Sequence, residues 1–224
     1  MTMDDNRGTL AAGPLALSGA LAATAQAGRF FVFEGIDGSG KSTIAEAFAD
    51  RLMADGRSVV RTAEPTSTWL GDQVRRGNRE ARSDFAEMFL YVADRAEHSV
   101  QIAEWLKAGS TVVCDRYVGS TLAYQSVSLR PYLGGRALEW LKAVNEPVIV
   151  RPDATVLLRI EPETAMDRIA GRKEREKFEQ VEFLRKVASI YDRLAAEDPS
   201  YMVIDATASP EEVLERVWER VGKF

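Results

Sequence analysis

From Arg29 onward the apolar positions fall into short unbroken runs separated by longer stretches of helical period. Phe30, Phe31, Val32 and Phe33 form a run ending at Gly35, the pattern of a strand buried on both faces. Ile44, Ala47, Phe48 and Leu52 then recur at helical spacing, and Gly56 is placed to close that helix. Val59 and Val60 lead to Glu64-Pro65, Phe85 to Leu106 reads as a long amphipathic helix closed by Gly109, and Thr111 to Cys114 reads as a buried strand ending at Asp115. Helical stretches around Ser120 to Ser128 and Gly134 to Val144 follow, then a strand from Ala154 to Ile160, a charged helical region from Glu163 to Glu197 and a strand from Tyr201 to Ile204. Ser209-Pro210 opens a last helix, serine as the cap and proline in the first turn. About five strands alternating with helices predict an α/β fold: a parallel sheet with helices on both faces and ligands at the carboxyl ends of the strands.

Composition narrows the partners. At 224 residues, 46% hydrophobic and 28% charged, the chain suits one globular domain with a substantial core. No apolar run reaches the roughly 18 residues that span a bilayer, so no membrane partner is expected. A net charge of -5 argues against a dedicated nucleic-acid binder and leaves any anion site to a local cluster of cations. The single cysteine, Cys114, excludes an intrachain disulfide and fits a reducing compartment, with a cytoplasmic location expected. Residues 1–28 are rich in Ala, Gly and Leu and are read as a flexible extension ahead of a domain at 29–224. Ala23 to Ala27 resembles a small-residue cleavage site, but Asp4 and Asp5 stand where a signal needs positive charge, and Pro14 and Gly19 interrupt the apolar run.

Gly35-Ile36-Asp37-Gly38-Ser39-Gly40-Lys41-Ser42 satisfies G-x-x-x-x-G-K-[ST] between a predicted strand and a predicted helix, the context that marks a phosphate-binding loop. The glycines let backbone amides curl around phosphate oxygens, Lys41 adds a point charge on the β- and γ-phosphates, and Ser42 is a Mg²⁺ ligand type. The fold expectation becomes a three-layer P-loop NTPase fold. The loop alone names only a nucleoside triphosphate, and no Asn-Lys-x-Asp sequence selects guanine. A strand ending in Asp115-Arg116-Tyr117 would aim an arginine at the transferring phosphate, and Asp115 would hold a Mg²⁺-bound water; the alternative is a strand-end ion pair of Arg116 with Glu34 or Asp115.

Residues 33 to 43, Glu64-Pro65, Tyr91-Val92-Ala93-Asp94-Arg95 and the block Asp115-Arg116-Tyr117 through Tyr124-Gln125 together resemble the thymidylate kinases. Arg151-Pro152-Asp153, the basic stretch through Phe178-Glu179 and Ile204-Asp205-Ala206-Thr207 continue the likeness, which covers roughly 29 to 222. The resemblance implies ATP-dependent phosphorylation of dTMP to dTDP, with Mg²⁺, in a homodimer. ATP would be held by Gly35 through Thr43, and the acceptor phosphate by Arg116 and Arg75, with Glu64-Pro65 beside them. Arg95 would face the pyrimidine edge, Tyr91 stack on the base, Thr121 and Gln125 hydrogen-bond it, and Tyr124 crowd a ribose 2′-hydroxyl. Asp37 would sit near the acceptor sugar and phosphate. Arg168, Arg172, Lys173, Arg175 and Lys177 fall where relatives carry a mobile lid, here about 163–178. Because Gly38 occupies a position where some relatives place arginine, transition-state charge is expected from the lid, with Arg172 the candidate. Lys41, Arg116, Arg172 and Asp37 are thus the expected catalytic set, Ser42 and Asp115 the expected metal ligands.

Three positions depart from the family pattern: Ala63 replaces the usual arginine before Glu-Pro, Tyr91 a phenylalanine, and Lys177 a lid arginine. The tyrosine hydroxyl requires a partner or water. His98 needs no catalytic role and is expected on a helix surface or at a subunit contact. The rival class is a nucleotide-binding switch acting through a protein partner, motivated by Ala63 and the amino-terminal extension.

Overall fold

The computed structural model describes residues 28–169 and 174–222, the segment 174–179 by its backbone only. Residues 1–27 of the expected extension, Arg172 and Lys173 lie outside the described residues, as do the side chains of Arg175 and Lys177. The strands are β1 (Phe30–Glu34), β2 (Val59–Ala63), β3 (Thr111–Asp115), β4 (Ala154–Arg159) and β5 (Tyr201–Asp205). The helices are α1 (Lys41–Ala54), α2 (Trp69–Glu80), α3 (Asp84–Lys107), α4 (Val118–Ser128), the short α5 (Arg130–Leu133), α6 (Ala137–Asn145), α7 (Pro162–Arg168), α8 (Glu174–Glu197) and α9 (Pro210–Val221).

All strand pairs are parallel, in the order β2-β3-β1-β4-β5. β1 lies between β3 and β4, where the winding reverses, so the loop after it opens into the crevice such sheets use for ligands. Its five residues are all buried, as an unbroken apolar run requires. Phe31 and Phe33 meet Phe48 of α1 on one face. Phe30 and Val32 join Ile102 of α3 and Tyr117 on the other, with Phe30 and Tyr117 edge to face at 5.2 Å. Cys114 is buried in this second cluster, and burial holds its thiol well above the ordinary range.

The pattern does not foretell α2. It buries only Gly71, Val74 and Gly77, so no apolar stripe marks it, and two interior glycines lower its helix propensity. Thr68 caps it, its hydroxyl accepting from Gly71 N–H. Gly71 cannot carry a side chain, since a Cβ there would lie 1.9 Å from the Thr66 carbonyl oxygen. The region from Glu163 to Glu197, expected as one helical stretch, contains two helices, α7 and α8. Among the described residues no helix is long and apolar enough to cross a membrane.

Candidate active site

The loop joining β1 to α1 has the geometry its glycines allow. Gly38 and Gly40 have φ of 83° and 86°, left-handed conformations that side chains other than glycine's disfavour. Gly40 precedes α1 with no side-chain cap, which leaves the first-turn amides to an anion. Gly38 carries a second constraint: a Cβ there would lie 2.2 Å from the Ala165 carbonyl oxygen, so α7 rests directly on the loop. In this arrangement an arginine at position 38 has no room.

Lys41 is 5% exposed, with Nζ 3.4 Å from the Ile36 carbonyl oxygen and 3.7 Å from Asp37 Oδ1. Burial, and then the Arg116 guanidinium, push its ammonium down from 10.5 to about 8, against the pull of Asp37, Asp115 and Glu34. Ser42 donates to Asp115 Oδ2 at 2.5 Å, while Asp115 Oδ1 is buried without a hydrogen-bond partner. Ile36 belongs to the core, Ser39 is buried, and Thr43 is exposed in the first turn of α1.

Next to the loop is a cleft of about 340 Å³. One wall is α3, which brings Glu87, Tyr91 and Arg95 to it at intervals of four residues; α4 supplies Thr121, Tyr124 and Gln125. Asp37, Glu64, Pro65 and Arg116 complete the group, so nine of the residues expected around the acceptor line one cavity. Arg116 sits at φ 66°, an uncommon conformation for a side-chain-bearing residue. Its guanidinium pairs with Asp37, donates to Ser120 Oγ at 3.0 Å and lies 5.5 Å from the centre of the Tyr124 ring. The Tyr124 hydroxyl accepts from Asp37 N–H at 3.0 Å. The ion pair anticipated with Glu34 or Asp115 is thus made with Asp37. The hydroxyl that distinguishes Tyr91 accepts from Asn78 Nδ2 at 2.9 Å.

Arg75 stands apart from this group. It bonds Asp72 at 2.8 Å and the Pro65 carbonyl at 3.3 Å, and lines a neighbouring cleft of about 680 Å³ along the β2 edge, together with Ala63, Ser42 and Asp115. Pro65 borders both clefts. Arg168 donates to the Thr207 carbonyl at 3.3 Å, tying α7 to the turn after β5.

Arg95 is 1% exposed and heavily engaged: Nη2 donates to Glu64 Oε2 at 2.6 Å and Thr121 Oγ1 at 2.9 Å, Nη1 to Asn145 Oδ1 at 2.7 Å. Its Nε is buried without a partner. His98, expected at a surface or subunit contact, is also 1% exposed. Its Nδ1 lies 3.0 Å from Glu64 Oε1 and its Nε2 2.7 Å from Thr62 Oγ1. The Glu64 carboxylate accepts, so Nδ1–H donates to it, and Nε2 shares the second hydrogen bond with the Thr62 hydroxyl. His98→Ala is expected to destabilise the protein by about 1–3 kcal/mol, because Glu64 keeps its burial and loses a donor; urea unfolding measures this.

Glu34, named from the sequence only as an alternative partner of Arg116, has a larger part in the structure. Fully buried at the end of β1, its carboxylate accepts from Tyr117 N–H at 2.9 Å, Ser120 N–H at 3.0 Å, Ser120 Oγ at 2.7 Å and Tyr191 Oη at 2.9 Å. Burial raises its pKa against these bonds and the Arg116 charge. It therefore anchors the start of α4, from which Thr121, Tyr124 and Gln125 project. The available signal was a lone carboxylate closing an apolar run.

Comparisons with known proteins give the family. The family model described as thymidylate kinase matches residues 33–217. A probable thymidylate kinase of Methanosarcina barkeri is 40% identical over 200 residues, 88% of this chain and 97% of that protein. A thymidylate kinase of Solidesulfovibrio magneticus is 41% identical over 210 residues, 87% and 99% of the two chains, and a probable thymidylate kinase of Methanocorpusculum labreanum 42% over 186 residues, 82% and 92%. With a family model matched over residues 33–217 and relatives of about 40% identity over most of its length, this chain belongs to the thymidylate kinase family.

Proposed function

We propose that the protein is a dTMP kinase that transfers the terminal phosphoryl group of ATP to dTMP, giving dTDP and ADP. The observation that carries the reading is the junction at Asp37. This loop residue pairs with Arg116 and approaches Lys41, so the donor loop and the acceptor cleft share a charged boundary across which a phosphoryl group can pass.

Each residue then has a task. Lys41 and the loop amides hold the β- and γ-phosphates, and Arg116 presents paired donors to the acceptor phosphate. Tyr91 offers a ring face to the base; Arg95, Thr121 and Gln125 address its polar edge; Tyr124 limits space at the sugar. Transfer needs no nucleophilic side chain, only positioning and charge stabilisation. Ser42 and Asp115 fit a Mg²⁺ ion: a hydroxyl and a carboxylate with a buried orphan oxygen, hard ligands that leave the remaining positions to phosphate oxygens and water. When bound the ion neutralises charge on the phosphates. Arg75 borders the same Pro65 and reaches the acceptor phosphate if its bond to Asp72 opens; Arg172 supplies charge from the lid. A cytoplasmic homodimer completes the proposal.

The test is ADP release measured with dTMP, dUMP, dCMP, dAMP and dGMP. dTMP is expected to give the highest kcat/KM, with purine monophosphates lower by on the order of a hundredfold or more. A purine turned over as well as dTMP would refute the acceptor assignment, and ATP consumption indifferent to every monophosphate would refute the kinase reading.

A further inference from the structure

Gln125 is 6% exposed and lines the acceptor cleft opposite α3. Its Nε2 donates to Glu87 Oε1 at 3.4 Å, and among the described residues no protein donor meets its Oε1. A side-chain amide has two ends of opposite character, and nothing in its shape decides which end a ligand meets. An ionised carboxylate settles the matter, because it only accepts: the NH₂ end turns to Glu87, leaving the carbonyl oxygen for the cleft.

Glu87 is well placed to impose this. It lies early in α3, whose Ser83 cap leaves the positive end of the helix close to the carboxylate. Tyr91, one turn further along α3, lines the same cleft. Burial raises the Glu87 carboxyl, while the bond from Gln125 lowers it.

We propose that Glu87 is a specificity-determining positioning residue, which fixes the Gln125 amide so that its oxygen faces N3 of the bound base and selects pyrimidines carrying an N3–H. The inference rests on the dTMP reading of the cleft and adds a reason for its choice of base. Thymine and uracil donate from N3 to the waiting oxygen. Cytosine presents a lone pair there, so two acceptors face each other across a desolvated gap.

The experiment measures kcat/KM for dTMP, dUMP and dCMP on the wild type, Glu87→Gln and Glu87→Ala, with melting temperatures alongside. A glutamine at 87 can donate to Gln125 Oε1 as readily as it accepts from Nε2, so the Gln125 amide is free to turn over. The dTMP/dCMP ratio of kcat/KM is expected to fall on the order of tenfold in Glu87→Gln, mainly through the KM for dTMP, and by less in Glu87→Ala. dUMP should follow dTMP, since both are imides. Loss of packing alone lowers dTMP and dCMP turnover in parallel and leaves their ratio unchanged; that result, or unaltered kinetics in both variants, overturns the role of Glu87. A wild type with no preference for dTMP over dCMP removes the underlying reading as well, which distinguishes the two failures.

Discussion

Replacing Arg116 by alanine is expected to lower kcat on the order of a thousandfold while the protein remains folded. The guanidinium stands between the loop and the cleft, held by Asp37 and Ser120 and backed by the Tyr124 ring, so its position is set before substrate arrives. Such preorganised charge acts where phosphate charge shifts during transfer, and needs no rearrangement at that moment. The fold should tolerate the change, because the main chain at 116 already carries a residue other than glycine at φ 66° and alanine meets no steric demand that arginine did not. Arg116→Lys should recover part of the loss: a point charge survives, the fork of paired donors does not. Single-turnover kinetics with saturating dTMP separates this effect on transfer from weaker binding. Turnover within threefold of wild type in the alanine variant would mean the acceptor phosphate lies elsewhere.

The elements nearest the nucleotide were the most legible in the sequence. A continuous apolar run, a glycine-rich loop and a helical period follow one another as β1, loop and α1 because each is dictated locally, by burial on both faces, by positive φ and by the 3.6-residue repeat. The residues of the cleft were found mainly through resemblance, and the structure brings nine of them together. What escaped was decided by tertiary context. α3 buries Asp94, Arg95, His98 and Ser99, polar residues that a rule equating apolar with buried assigns to the surface. They are buried because they satisfy groups from elsewhere: Asp94 accepts from Thr66 N–H at 2.8 Å and from its hydroxyl at 2.5 Å, and His98 and Arg95 flank Glu64. Glu87 escaped for a related reason, since its contact with Gln125 crosses 38 positions of chain. Arg75 differs from these: spacing along the chain groups it with the acceptor residues, whereas in this structure its side chain pairs with Asp72 and lines the neighbouring cleft.

Lys41→Met is expected to abolish measurable phosphoryl transfer and, in the same protein without nucleotide, to raise the melting temperature at neutral pH by a few degrees. Both effects follow from one fact. The ammonium is buried where phosphates are meant to be, and without them burial pushes it down from 10.5 to about 8. A lowering of that size, which already includes the pull of Asp37, corresponds to about 3 kcal/mol against the charged native state, reduced by the lost contact with Ile36. The native state binds this proton more weakly than the unfolded chain does, so the penalty is complete below pH about 8 and fades as pH rises towards 10.5. Methionine fills a similar volume without charge and removes the penalty, so the gain over wild type should be largest near pH 7 and shrink above pH 8. Melting curves of the two proteins from pH 7 to 10 read this directly. Addition of ATP should reverse their order, because ligand binding stabilises only the state that binds it. A methionine variant less stable than wild type at pH 7 without ATP would show that the protein already compensates the Lys41 charge. Higher stability would show that the charge is held at a cost which the bound nucleotide offsets.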